Sequence, residues 1–201
     1  NNESCCTIYY IDEKMLLTPP VAVLQAKNEI INMAEIARGN FNLSLNILTK
    51  LDLSRKDTFA ANEEEINFLN HELVSFIVKL SNSSLSNHDH NFVSSAIKVI
   101  SDIERIGDYA ENIVEYAELL GESGARLSQA AIVEIEGVRD LVEHLYQEAI
   151  KAAKAEYKEK IAAASGAEKA ALKQELKNII KSKNICCHIS FCTKFMCYFC
   201  G

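Results

Sequence analysis

The chain has 201 residues, 48% of them hydrophobic, with seven glycines, two prolines and a formal net charge of −7, which suits one or two largely helical domains able to bury a core without disulfide staples. The acidic balance, without a Lys/Arg-lined groove, excludes a surface for the nucleic-acid backbone, so no nucleic-acid partner is expected. No apolar run reaches the roughly 18 residues of a membrane-crossing helix, and the start, Asn1-Asn-Glu-Ser, lacks the basic-then-apolar order of a secretory signal, so the chain as given is expected to be soluble.

Residues 1–18 read as a linker. Thr18-Pro19 offers an N-cap followed by proline at the first helical position. Leu24, Ile31, Ala34, Phe41, Leu45 and Leu48 then mark one face of a first helix expected to end near Leu53. Asn62-Glu-Glu-Glu65 reads as a capping box ahead of a second helix, whose Ile66, Leu69, Leu73, Phe76 and Leu80 recur at 3,4,3,4 spacing. Ser81-Asn-Ser-Ser84 ends that helix, and Ser86 or Asn87 caps a third that runs to about Leu120, where Gly121-Glu-Ser-Gly124 stops it. Connections this short force successive helices antiparallel, so the expected fold is all-α, with an up-down-up three-helix bundle over residues 19–120.

Beyond it, residues 125–183 read as a partial second helical repeat. A fourth helix carries Ile132, Ile135, Val138, Leu141, Val142 and Leu145 from Ser128 to about Ser165, and a Lys-rich fifth follows Ser165-Gly166. The Ala/Lys/Glu stretch from Ala149 to Lys183 is either a solvated helix with Glu and Lys at i±3 and i±4 or a partner-binding arm. Cys5 and Cys6 stand at one end of the chain and Cys186, Cys187, Cys192, Cys197 and Cys200 at the other, with none between. A disulfide framework is therefore not expected. Residues 184–201 read as an unstructured Cys-rich tail, with zinc binding through Cys197-x-x-Cys200, the upstream cysteines and His188 as the alternative.

The chemistry concentrates on the third helix. Ala96, Val99, Ile103, Ile106, Ala110, Ile113 and Ala117 form a core seam, and Glu104, Asp108, Glu111 and Glu115 follow at 4,3,4 spacing on a second stripe, expected to face away from it. Carboxylates one turn apart repel by a few tenths of a kcal/mol. They are also close enough to chelate or bridge a hard cation that prefers oxygen ligands. The competing reading is a solvated face on which Arg105 pairs with Asp102 or Asp108. Gly107 costs roughly 1 kcal/mol relative to Ala in a helix interior, so helix stability does not explain it, whereas close approach of another group to the backbone would. His71, His88 and His90 are further candidate ligands or plain surface histidines, and Tyr9, Tyr10 and Tyr109 read as packing residues. No Ser/His/Asp order and no Gly-rich phosphate loop is found, so a regulatory binding module is expected in place of an enzyme.

The segment Asp102-Ile-Glu-Arg-Ile-Gly-Asp-Tyr-Ala-Glu-Asn-Ile113 resembles the signature of PhoU-type domains. In these a Glu-x-x-x-Asp pair on a bundle helix carries a metal cluster. The resemblance implies Glu104 and Asp108 as ligands of a divalent or ferric ion (iron, Mg, Mn or Zn), with Glu111, Asn112 and Glu115 as possible additional ones. Tyr10-Ile-Asp-Glu-Lys-Met-Leu-Leu-Thr-Pro-Pro-Val-Ala-Val23 with Gln25-Ala-Lys-Asn-Glu29, and Val78-Lys-Leu-Ser-Asn-Ser-Ser-Leu-Ser86, are similar to the linker and second turn of that domain in bacterial sodium/phosphate cotransporter family proteins. The resemblance covers roughly residues 9–150. It implies a fragment of such a protein, held at the cytoplasmic face of the cell membrane by a membrane transport region outside this chain, with inorganic phosphate and a second copy as possible partners. The alternative is a free-standing PhoU-type regulator of an ABC phosphate importer and its sensor kinase. A metal-free helical adaptor is the third.

Overall fold

A computed structural model describes residues 6–163. Their architecture is all-α: α1 spans Pro19–Lys50, α2 Lys56–Ser81, α3 Asn87–Ser123 and α4 Gln129–Ala163, with short 3-10 turns at Glu13–Leu17 and Leu53–Arg55. The first three helices pack mutually as the expected antiparallel bundle. The fifth helix, the C-terminal cysteines and the tail fall outside the described residues.

Local signals set the helix ends, and three of them differ from expectation. Thr18 is the N-cap residue of α1 with Pro19 behind it, yet its side chain makes no capping bond; its carbonyl accepts from Val21 and Ala22 instead. That helix stops three residues earlier than expected, because Leu51 adopts a left-handed conformation at φ 50°. The larger correction concerns α2, which begins at Lys56, so Asn62-Glu-Glu-Glu65 lies in its interior and is no capping box. Asp52 caps the preceding 3-10 turn through the Ser54 N–H at 3.1 Å, and that turn runs directly into the helix. Ser86 caps α3 through the Asp89 N–H at 3.2 Å, and Gly124, at φ 69°, closes it.

Two apolar clusters fill the bundle end to end. The lower joins Ile30, Met33, Leu69, Leu73, Ile77, Ile100 and Ile103; the upper joins Phe41, Leu45, Leu48, Phe59, Ala110, Val114 and Ala117. On α3 the buried line runs through Val93, Ala96, Ile100, Ile103, Gly107, Ala110, Val114 and Ala117. Val99, Ile106 and Ile113, expected at the centre of the seam, are only half-buried at its margin. This rotation puts Gly107 on the core axis. Tyr9 and Tyr10 do not pack as expected: both are exposed.

Against this bundle α4 is lightly attached. Tyr146 is its one buried residue among those described, while Ile135 and Val142 are half-buried over the upper cluster. Arg38 fastens it to α1: the guanidinium lies 4.6 Å over the Tyr146 ring, donates to Glu35 at 2.8 Å and reaches Glu143 at 3.0 Å. The Tyr146 hydroxyl donates to Glu35, and burial, followed by that contact, holds the phenol well above its ordinary pKa. Deleting core contacts should therefore cost far more than releasing α4. Leu69→Ala, at a fully buried site, is expected to cost about 2–5 kcal/mol, whereas a chain ending at Gly124 should still melt cooperatively. Denaturant titrations followed by circular dichroism check both, and a molten truncation product would contradict this division.

Candidate functional site: a carboxylate groove between the second and third helices

At the level of Gly107, α3 comes close to α2, and the space a side chain would occupy is taken by a carboxylate. A Cβ built on Gly107 would lie 2.8 Å from Glu63 Oε2 and 3.2 Å from Oε1. The group whose approach Gly107 anticipates is thus Glu63. Its other neighbour is Asn40, fully buried on α1. The Asn40 amide donates to Glu63 Oε1 at 2.7 Å and to the Phe59 carbonyl at 3.2 Å, and its oxygen accepts from Asn62 Nδ2 at 3.0 Å. Both of its N–H bonds and its carbonyl are engaged, so the position of Glu63 is held from below by a filled network.

The acidic stripe of α3 borders this same groove through half-buried Glu104, while Asp108, Glu111 and Glu115 are exposed, on the side away from the core seam. Burial, opposed by the Asn40 hydrogen bond, raises the pKa of Glu63, and the charges of Glu111, Asp108 and Glu104 raise it further. Glu104 is raised by burial first and then by Asp108, with Arg105 opposing. Four carboxylates from two helices therefore share one field. Glu104 is half-buried, while Asp108 and Glu111 are exposed, so a cation would meet an open mouth with a partly desolvated floor.

The remaining candidates sit differently. Asn112 donates to the Asp108 carbonyl at 2.9 Å, tying its amide to its own helix. Glu115 lies one turn beyond, near Lys56, whose protonated form is favoured first by its bond to Glu118 and only lastly by the Glu115 charge. His71 is 83% exposed at its side chain and bonds Glu72 at 3.1 Å, and His90 is exposed on the first turn of α3; neither joins the groove. Arg105 hydrogen-bonds Tyr109 at 3.3 Å, and buried Asp102 takes Lys98 at 3.2 Å through one oxygen while the other is unpartnered. Among the described residues, no three His, Cys, Asp or Glu side chains are already gathered at metal-holding distance. Asn40 and Glu63 were missed by pattern reading, because Glu63 sits within a run of three glutamates and Asn40 within an apolar face. Their trace in the sequence is Gly107.

Comparison with known proteins bears on this segment. Residues 30–117 match the PhoU domain model. A PhoU domain is present. Its matched portion begins within α1 and ends within α3, and it contains Asn40, Glu63, Gly107 and the whole acidic stripe. Two curated relatives are the phosphate-specific transport system accessory protein PhoU homologs of Xylella fastidiosa, strains 9a5c and Temecula1. Each is 30% identical over 87 residues, which is 43% of this chain and 37% or 36% of the relative. The chain thus spans little more than a third of the length of the relatives it matches. No solved structure matches it.

Two predictions follow from the groove. Replacing Gly107 by Ala should gain roughly 1 kcal/mol of helix propensity only when Glu63 is out of the way, so Gly107→Ala stabilises a Glu63→Ala background but not the parent. Equal effects in the two backgrounds, measured by denaturant unfolding, would refute the contact. The second concerns pH. Because folding raises the Glu63 and Glu104 pKa values above the ordinary 4.5, the folded protein holds more protons than the unfolded chain from that value up to the raised ones. The stability these groups contribute is complete below pH 4.5 and is lost as pH rises through the folded values. In metal-free buffer, the Tm of the parent relative to Glu63→Gln should therefore fall as pH rises from 4.5. A flat difference would sink the assignment.

Proposed function

We propose that this chain is a non-catalytic regulatory module of phosphate transport, in which the PhoU domain binds a divalent or ferric cation through Glu104 and Asp108 in the α2–α3 groove. The observation that supports this most is the seating of Glu63 against Gly107, which brings a carboxylate from a second helix to the acidic stripe. The donors are all carboxylate oxygens, the set that suits a hard cation. A bound cation would offset the burial and the neighbouring charges that raise Glu63 and Glu104. Glu111 stands nearest to join them, Asn112 and Glu115 are weaker candidates, and water or phosphate completes the coordination.

The linker resemblance at residues 10–29 favours attachment to the membrane transport region of a sodium/phosphate cotransporter family protein, at the cytoplasmic face. No helix among the described residues is itself long and apolar enough to cross a membrane. That the relatives are accessory proteins of a phosphate-specific transport system favours the second reading, a regulator that acts on a separate transporter.

The test is the double substitution Glu104→Gln/Asp108→Asn. Elemental analysis should find divalent or ferric metal in the parent and none in the variant, while the helical signal is unchanged, since neither residue lies on the buried line of α3. Added metal should raise the parent's Tm, as any ligand selective for the folded state does, and leave the variant's where it was. An equal shift in both proteins would overturn the site. Without a metal, removing i,i+4 repulsion should leave the variant as stable as the parent or slightly more so.

A further inference from the structure

Glu29 is fully buried on α1, one residue before the PhoU domain match begins. A buried carboxylate needs donors, and three of its four come from outside the bundle. Glu29 Oε2 accepts the consecutive main-chain N–H groups of Tyr9, Tyr10 and Ile11 at 2.9, 2.6 and 3.3 Å, while Asn32 donates to Oε1 at 3.1 Å. Successive backbone amides converging on one anion form an anion-binding concavity. Here the anion belongs to the bundle and the concavity to the segment laid across it.

No side chain of that segment is more than half-buried. Leu17 is 90% exposed and Tyr9 64%; Ile11, Met15 and Leu16 are half-buried against the lower cluster. The remaining ties are a 3.2 Å bond from the Asp12 N–H to Gln25 and an exposed Glu13–Lys79 pair to the end of α2, and exposed pairs are worth little. On α2, Glu65 has its carboxyl raised by burial and then by the charge of Glu29. With the segment lifted, Glu29 would lose all three amide donors and face that second carboxylate.

We propose that residues 7–17 are a detachable latch, and that Glu29 is its receptor, a site between the start of α1 and the end of α2 that recognises an extended segment by its main-chain amides. Seated, the latch makes the segment before Thr18 one rigid unit with α1 and α2. Lifted, it frees that segment and leaves Glu29 without its three main-chain donors. None of the segment's bonding partners is a carboxylate of the α2–α3 groove, so the latch is independent of metal binding.

Hydrogen exchange on the full chain reads the latch directly. The amides of Tyr9, Tyr10 and Ile11 should exchange roughly tenfold or more slowly than an unstructured chain, given three bonds to a charged acceptor. Glu29→Ala should abolish that protection and speed tryptic cleavage after Lys14 by a similar factor. Tyr10→Pro removes the shortest N–H bond without altering the bundle. It should deprotect the amides at 9 and 11 and speed the same cleavage, while core amides at Leu69 and Ile103 exchange as in the parent. Should Glu29→Ala also loosen the core, Tyr10→Pro decides. Tyr9→Ser/Tyr10→Ser, which keeps every amide, should leave protection in place. Coil-like exchange at 9–11 in the parent, parental behaviour of Tyr10→Pro, or loss of protection in the double Ser variant would each overturn the proposal.

Discussion

A half-buried carboxylate lodged where a helix has no side chain is the constraint on which the middle of this bundle depends. Glu63 can stand there only because Gly107 offers no Cβ, and it stays there because Asn40 grips it from the opposite helix. The arrangement joins all three helices through polar groups at the junction of two apolar clusters. A glycine in mid-helix costs about 1 kcal/mol relative to alanine, and here it makes room for a carboxyl whose pKa burial raises.

The acidic stripe takes its meaning from that junction. On an isolated helix, Glu104, Asp108 and Glu111 would be well-hydrated charges with small mutual repulsion. Beside Glu63 they border a partly dry floor, where burial first and then their charges raise the Glu63 carboxyl, and burial followed by Asp108 raises Glu104. The bundle thus stores an electrostatic imbalance that a ligand of positive charge would relieve, and it does so without moving a helix.

Around this rigid middle the other elements are joined by polar contacts at single points. Arg38 binds α4 by stacking and ion pairs at one level of the bundle, and Glu29 binds the N-terminal segment about two and a half turns nearer the start of α1. Fastenings of this kind open at lower free energy than a packed core, which separates a bundle that holds its shape from attachments able to change position.

What the sequence by itself determined follows from periodicity and punctuation. The 3,4 recurrence from Ile66 to Leu80 and from Ala96 to Ala117 demands helices, and Pro19, Ser86 and Gly124 mark their ends because each suits one backbone geometry. Short connections then leave few options but an antiparallel bundle. Gly107 even announced a close approach. Which group approaches was decided by tertiary structure alone, since Glu63 is one of three adjacent glutamates and only the rotation of α2 selects it. The same applies to α2's early start, to the one-residue rotation of the α3 seam, and to Asn40 and Glu29. A polar residue on an apolar face looks like noise in one dimension, and its purpose appears only when the partner that satisfies it arrives from a distant part of the chain.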